Sequence, residues 1–209
     1  MKPLVVATRN AHKLVEIRAG LADLGYDITC ADDHPGTPEV DEDAPTLEGN
    51  AEKKARWVAA ATGLLALADD TGLEVDALGG APGVYSARWA GPGCSYADNN
   101  AKLLHELAAV PEAGRTARFR CVIAIATPGP AAPDFESRVR ACRVTLHEGR
   151  VEGRILIAPR GEQGFGYDPV FWIPESGRSL AELHLDEKNR ISHRARALAA
   201  ARTALLRSG

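Results

Sequence analysis

Long apolar segments are absent from this 209-residue sequence. The densest one, residues 64–68, ends at two consecutive aspartates and falls far short of the roughly 20 apolar residues that a membrane-spanning helix needs. Residues 1–8 become polar too soon to form a secretory signal. We therefore expect a cytoplasmic protein that has no membrane partner.

Cysteine is scarce: Cys30, Cys94, Cys121 and Cys142 are scattered along the chain and form no CxxC pair. This spacing indicates neither a disulfide framework nor a cysteine-based zinc site. The Walker A pattern GxxxxGK[ST] is also missing. The net charge of −3 and the pI near 6.1 leave no overall basic surface, which disfavours binding to long nucleic acid.

The chain otherwise has the composition of an ordinary globular protein, with 45% apolar and 25% charged residues, and we expect residues 1–209 to form a single domain. Its charges are unevenly distributed. Eight carboxylates and no Lys or Arg lie between positions 32 and 52, whereas six Lys or Arg and no acid lie from 188 onward. Such blocks are commonly two solvated surfaces. Alternatively, the acids hold a divalent cation and the bases meet an anionic substrate.

Hydrophobic spacing predicts alternating strands and helices in the first 70 residues. A buried strand at 4–7 precedes an amphipathic helix that ends at Gly25, and a short strand follows near Ile28. Thr46 is predicted to cap a second helix that runs to about residue 62. The buried strand 64–68 is then predicted to end at Asp69-Asp70.

The pattern changes after about residue 110, where apolar residues recur at every second position in 119–125 and 144–146, with a third run at 154–157. This period predicts an antiparallel meander. Helices are predicted at 96–108 and from about Ser192. Because regular βαβ alternation fails, we predict an α/β fold with a mixed sheet flanked by helices, in two lobes with a central cleft.

The first polar cluster, TRNAHK at 8–13, lies where the first strand meets the first helix. Unpaired N–H groups at a helix N-terminus suit an anion, and Thr8, Asn10 and Lys13 add side-chain donors. The alternative is a helix capped by Asn10, with His12 and Lys13 in solvent.

The second cluster combines Glu42 with Asp69-Asp70. Two consecutive acids after a buried strand need a reason, because an ionised carboxylate is expensive to bury unless it is paired. Magnesium commonly takes one or two protein carboxylates together with phosphate and water, so Glu42 and Asp70 are suitable ligands. Alternatively, Asp69 or Asp70 caps a turn before Gly72.

The third cluster comprises GFGYDP at 164–169, Glu187-Lys188 and Ser192-His193-Arg194. Aromatic rings among glycines provide a surface on which a flat base stacks, and the adjacent carboxylate, ammonium and guanidinium groups supply an acceptor and donors. Recognition of a nucleobase edge requires that combination. The alternative is a glycine-rich turn with core aromatics and a helix capped by Ser192.

Together these segments resemble the inosine triphosphate pyrophosphatase family, in particular its bacterial members that act on XTP and dITP. The resemblance spans nearly the whole chain. It is carried by TRNAHK at 8–13, residues 46–55, ADDTGLEVDALGGAPGVYSARW at 68–89, GFGYDPVF at 164–171 and EKNRISHRARAL at 187–198. It implies a homodimeric, Mg²⁺-dependent enzyme that hydrolyses ITP, dITP or XTP to the monophosphate and pyrophosphate, and so removes deaminated purine nucleotides.

The resemblance also implies roles for individual residues. Glu42 and Asp70 would bind Mg²⁺, and Asp70 would in addition activate the attacking water. The loop at 8–13 and Lys54 would bind the triphosphate, Thr71 would contact the substrate through its hydroxyl, and the later segments would bind base and sugar. The substrate-binding positions are Thr8, Arg9, Asn10, Ala11, His12, Lys13, Lys54, Thr71, Phe165, Gly166, Tyr167, Asp168, Lys188, His193 and Arg194.

The sequence departs from the family's pattern in three respects. Arg9 stands where glycine is more usual, Thr71 stands where serine is usual, and Asp41 or Asp43 competes with Glu42 as a metal ligand. Two other functions remain open. A Maf-like pyrophosphatase for other bases is disfavoured by the FGYD and SHR segments, and a non-catalytic nucleotide sensor is disfavoured by retention of both Glu42 and Asp70.

Overall fold

The computed structural model describes residues 1–207, which form eight strands and six α-helices. The strands are β1 (Lys2–Val6), β2 (Tyr26–Cys30), β3 (Leu65–Val75), β4 (Pro82–Gly83), β5 (Thr116–Thr127), β6 (Arg143–Ile155), β7 (Phe171–Ile173) and β8 (Arg178–Ser179). The helices are α1 (Ala11–Leu21), α2 (Leu47–Thr62), α3 (Tyr96–Glu106), α4 (Phe135–Ala141), α5 (Leu185–Ile191) and α6 (His193–Arg207). In the described part of the chain, every helix is too short or too polar to span a bilayer.

The strands form one mixed sheet in the order β2-β1-β3-β5-β6-β7-β8, with β4 paired to β3. Strand β1 is parallel to both β2 and β3. Strands β6, β7 and β8 pair antiparallel, although the predicted meander was placed at 119–157 and two of its three runs belong to β6 alone. The mixed sheet and its helices confirm the predicted α/β class.

The chain divides into two compact units. The first contains Met1–Asp70, Cys121–Gly149 and the segment from Arg194 onward, and the second contains Thr71–Arg120 and Arg150–His193. Strands β3, β5 and β6 each contribute residues to both units.

The core of the first unit follows from strand alternation. Leu4 and Val6 of β1 and Leu67 of β3 are fully buried with Ile17 of α1 and Ala201 of α6. Helix α2 is bounded as its sequence predicts. The Thr46 hydroxyl accepts a hydrogen bond from Gly49 N at 3.1 Å, and Gly63 ends the helix with a φ of +68°.

The core of the second unit is built around α3. Leu103 and Leu107 are fully buried with Phe119, Tyr167 and Phe171. Ser95 caps this helix, because its hydroxyl accepts from Asp98 N and its own N–H donates to the Asp98 carboxylate. Helix α3 is thereby fixed at its N-terminal end.

The structure corrects three sequence predictions. Strand β3 does not end at Asp69-Asp70 but continues to Val75, because both carboxylates find cationic partners and remain inside the strand. Strand β6 joins two predicted runs into one 13-residue strand. Helices α4 and α5, of seven residues each, were not predicted, since so short a segment holds too few residues to show a helical period.

Candidate active site

Two consecutive aspartates of β3 each take part in a cluster of charged side chains in the first unit. Asp69 and Asp70 are 1% and 5% exposed. Successive side chains of a strand point to opposite faces of the sheet, so the two carboxylates meet different partners. Asp70 faces α2, whereas Asp69 meets residues of α1 and α6.

Asp70 belongs to a cluster with Glu42 and two side chains of α2. The Lys54 ammonium donates to Glu42 Oε1 at 2.5 Å and to Asp70 Oδ1 at 3.1 Å, and Asn50 Nδ2 donates to Asp70 Oδ2 at 3.2 Å. Asn50 and Lys54 are one helical turn apart and therefore face the same side of α2. The carboxylates of Glu42 and Asp70 thus both bind the Lys54 ammonium.

Burial and charge act oppositely on this cluster. Burial raises the pKa of Asp70, and it outweighs the attraction of Lys54. Burial also acts to raise the pKa of Glu42, but there the Lys54 ammonium prevails and the pKa is lowered. The pKa of Lys54 is raised, because Asp70 and Glu42 outweigh its desolvation. The lysine therefore stays charged between the two acids.

Asp69 belongs to a buried ion network. Its Oδ2 accepts from Arg194 Nη2 at 2.9 Å and lies 3.2 Å from Lys13 Nζ. Arg194, 1% exposed, also pairs with Glu16 of α1. Burial acts to raise the pKa of Asp69, but Lys13 and Arg194 outweigh it and hold that pKa well below its usual value. Arg194, predicted to contact the base, is thus bound by two carboxylates.

The loop at 8–13 combines capping with pairing. Asn10 caps α1, because its Oδ1 accepts from His12 N at 3.0 Å and from Lys13 N at 3.3 Å. Thr8 Oγ1 in turn accepts from Asn10 N at 3.1 Å. Arg9 donates to Asp32 at 2.9 Å and pairs with Glu39. The role of this loop in phosphate binding stays a prediction.

The contacts of the acidic segment distinguish Glu42 from its neighbours. Lys53 donates to the Asp43 carboxylate at 2.7 Å and to the Asp41 carbonyl at 3.0 Å. Lys54 instead binds Glu42 and Asp70 together. Glu42 is therefore the acid of this segment that the structure places beside Asp70.

In the second unit, Asp168 organises the glycine-rich loop. Its Oδ2 accepts from Phe165 N at 2.9 Å and from Lys188 Nζ at 2.6 Å, and both charged side chains are buried. The Lys188 ammonium also lies 4.8 Å from the centroid of the Phe165 ring. Gly164 has a φ of +75°, and a Cβ at this position would lie 2.1 Å from Asp168 Oδ2. Only glycine fits there.

Three further residues that were predicted to bind the substrate occupy the same unit. Tyr167 is buried and its hydroxyl donates to Ser86 O at 2.9 Å, and burial raises the pKa of this phenol. The His193 ring stacks on Phe119 with centroids 4.5 Å apart. Thr71 is partly exposed in β3, directly after Asp70. Their contacts with substrate stay predictions.

Sequence reasoning missed two residues of these clusters, Glu16 and Asn50. Glu16 lies three residues after Lys13 and so shares its helix face, and Asn50 stands four residues before Lys54. That spacing was the available signal. Spacing alone does not identify a site residue, and neither residue belongs to a motif that carries chemistry by itself.

The carboxylates suit a divalent cation. Among residues 1–207, no three His, Cys, Asp or Glu side chains form a metal cluster, but Glu42 and Asp70 are two neighbouring carboxylates, the number and type of protein ligand that magnesium commonly uses. The two buried clusters of the first unit together contain four carboxylates and three cationic side chains. These residues are Glu16, Glu42, Asp69, Asp70, Lys13, Lys54 and Arg194.

The fold and these clusters define a mixed α/β protein with a paired-carboxylate site. Residues 4–204 match the model of the Ham1 family, and the chain belongs to that family. A dITP/XTP pyrophosphatase of Geobacter sulfurreducens is 52% identical over 199 residues, which cover 95% of this chain and 94% of that protein. One from Streptococcus pneumoniae is 48% identical over 196 residues, 93% of this chain and 92% of that protein.

Solved structures agree with this assignment. A HAM1 protein of Coxiella burnetii matches with a TM-score of 0.85 and 39% identity, over 99% of this chain and 100% of that one. A nucleoside-triphosphatase, or dITP/XTP pyrophosphatase, from Mycobacterium abscessus matches with a TM-score of 0.73 and 40% identity, over 95% of this chain and 97% of that one. The family predicted from the sequence motifs is confirmed.

Proposed function

We propose that this protein hydrolyses the non-standard purine nucleotides ITP, dITP and XTP to the nucleoside monophosphate and pyrophosphate, with Mg²⁺ as cofactor. The observation that carries this proposal is the pairing of Glu42 and Asp70 with the same Lys54 ammonium, which places the two carboxylates side by side. The chain is also about half identical to dITP/XTP pyrophosphatases. A homodimer in the cytoplasm, as the sequence resemblance implies, belongs to the same proposal.

Residues of the first unit carry the phosphate chemistry in this proposal. Glu42 and Asp70 would hold Mg²⁺, which when bound would neutralise phosphate charge and help to activate water. Lys13 and Lys54 supply positive charge to the triphosphate, while Asp70 orients the attacking water and accepts its proton. Reactions of this type gain mainly from positioning and electrostatic stabilisation.

Residues of the second unit read the base. Phe165 offers a ring for stacking, and the Lys188 ammonium, held by Asp168, is a pure donor. A donor matches the 6-keto oxygen of hypoxanthine or xanthine and opposes the 6-amino group of adenine. A site built around one polar group rejects its mismatch by ~10⁴-fold or more.

A substrate comparison tests this function. With Mg²⁺ we expect pyrophosphate release from ITP, dITP and XTP, and a kcat/KM for ATP that is lower by about 10⁴-fold. Excess EDTA should stop the release, and added Mg²⁺ should restore it. Efficient ATP hydrolysis, or pyrophosphate release that persists in EDTA, would contradict the proposal.

The choice of metal ligand gives a second prediction. Glu42→Gln is expected to raise the Mg²⁺ concentration needed for half-maximal activity by about 10- to 100-fold, because one of two anionic ligands is lost. Asp43→Asn is the matched control, since Asp43 pairs with Lys53 rather than Lys54. Magnesium titrations of both variants measure this effect, and a larger shift in Asp43→Asn would reassign the ligand.

A further inference from the structure

Helix α3 contacts the glycine-rich loop at two points that lie one helical turn apart. The Tyr96 ring packs against the Phe165 ring, with centroids 6.0 Å apart and a tilted geometry. Asn100 Nδ2 donates to the carbonyl oxygen of Gly166 at 3.0 Å. Positions i and i+4 share one face of a helix, so a single face of α3 supports the loop.

The bond to Gly166 fixes the orientation of the Asn100 amide. A carbonyl oxygen only accepts, so the side-chain NH₂ group must face it and Oδ1 must point away. Among the described residues, this Oδ1 is buried and has no hydrogen-bond partner. An unpartnered buried acceptor destabilises a fold, and an apolar side chain at this place would avoid that loss. Such a side chain would also remove the donor to the Gly166 carbonyl, so the bond to the loop is what asparagine specifically provides here.

The carbonyl that Asn100 binds lies in the middle of the loop, so this bond restrains the backbone beside Phe165. Gly166 adopts a φ of +64° and lies between Phe165 and Tyr167. The Tyr167 hydroxyl and the Asp168 carboxylate hold the side-chain ends of the loop, through Ser86 O and Phe165 N respectively. Asn100 of α3, by contrast, donates to a backbone carbonyl of the loop.

We propose that Asn100 is a positioning residue for base recognition, acting through the Gly166 carbonyl while Tyr96 supports the Phe165 ring. This inference rests on the proposed function, in which the loop binds the purine. It predicts a selective effect. Loss of the Asn100 donor loosens the contact with the base, and it leaves the phosphate chemistry of Glu42 and Asp70 unchanged.

The test compares ligands with and without a base. For Asn100→Ala, KM for ITP and Ki for IMP should each rise about fivefold to tenfold, as expected for one lost hydrogen bond. The isosteric Asn100→Asp should show a larger rise, because it sets a carboxylate against the carbonyl. In both variants kcat and the Ki for pyrophosphate, which has no base, should stay within about twofold of the wild-type values. Glu106→Gln, at an exposed position of the same helix, should match the wild type in every parameter.

Thermal melting of the same proteins separates positioning from folding. Melting temperatures close to that of the wild type, together with selective weakening of IMP, support the proposal. Equal weakening of IMP and pyrophosphate with a lowered kcat would show a general structural role and overturn it. If the wild type releases pyrophosphate from ITP but the Asn100 variants bind IMP normally, only the positioning role fails. If the wild type itself does not act on ITP, the proposed function fails as well.

Discussion

Asp70→Asn is expected to lower kcat/KM for ITP by at least about 10³-fold while the protein stays folded. In the proposed mechanism the substitution removes both an anionic metal ligand and the group that accepts the proton of the attacking water. Folding should survive, because an amide of the same shape fits the site, its oxygen still accepts from Lys54, and the substitution removes a carboxylate whose charged form is disfavoured by burial. Pyrophosphate release and the melting curve measure the two effects.

Asp76→Asn is the matched control for that experiment. Asp76 follows β3 and pairs with Arg118 at 2.7 Å, at a more exposed position. We expect this variant to retain activity near the wild-type level. Turnover by Asp70→Asn that approaches the wild-type rate would remove Asp70 from the catalytic step, whatever the control shows.

The second large effect concerns stability and the buried ion network. Arg194→Met is expected to lower the free energy of unfolding by about 3–5 kcal/mol, since it leaves Asp69 and Glu16 buried without their shared guanidinium. For a chain of this length, the melting temperature should fall by on the order of 10 °C. Chemical denaturation and thermal melting both measure this change.

Arg202→Met, on the same helix, provides the comparison. Arg202 pairs with Asp23 at the surface, and exposed pairs contribute little because water already solvates both charges. Its melting curve should nearly coincide with that of the wild type. A similar loss in both variants would show that the helix tolerates neither substitution and that the buried network has no special weight.

The network also predicts how stability depends on pH. Lys13 and Arg194 hold the pKa of Asp69 below its value in the unfolded chain. The ionised Asp69 therefore stabilises the fold at a pH above about 4, and this stabilisation is lost as the pH falls further. Without Arg194 the pKa of Asp69 rises. The melting temperatures of the wild type and of Arg194→Met should therefore converge on acidification. A gap that widens toward low pH would contradict this role of Arg194.

Much of the fold followed from local patterns in the sequence. Thr46 and Gly63 mark the ends of α2 because a cap and a left-handed glycine act within one turn. The passage of β3 through Asp69-Asp70 was not predictable in that way. It depends on Arg194, 125 positions away, and no local pattern reveals that the two charges meet.

The candidate site shows the same division. Motifs identified Glu42, Lys54 and Asp70, and the structure brings these three together. The buried ion pair of Glu16 with Arg194 and the partly buried hydrogen bond of Asn100 to Gly166 each join distant segments of the chain. The sequence therefore did not predict the partners of Glu16 and Asn100, although both residues lie on helices that were correctly predicted.

The central claim is that the protein cleaves ITP to IMP and pyrophosphate. Hydrolysis of ITP in ¹⁸O-labelled water tests it most directly. Attack of water on the α-phosphorus places the label in IMP and leaves the pyrophosphate unlabelled, and mass spectrometry of the two products distinguishes the outcomes. We expect all of the label in IMP, in a reaction that requires Mg²⁺. Label in pyrophosphate, or release of IDP and inorganic phosphate, would contradict the account.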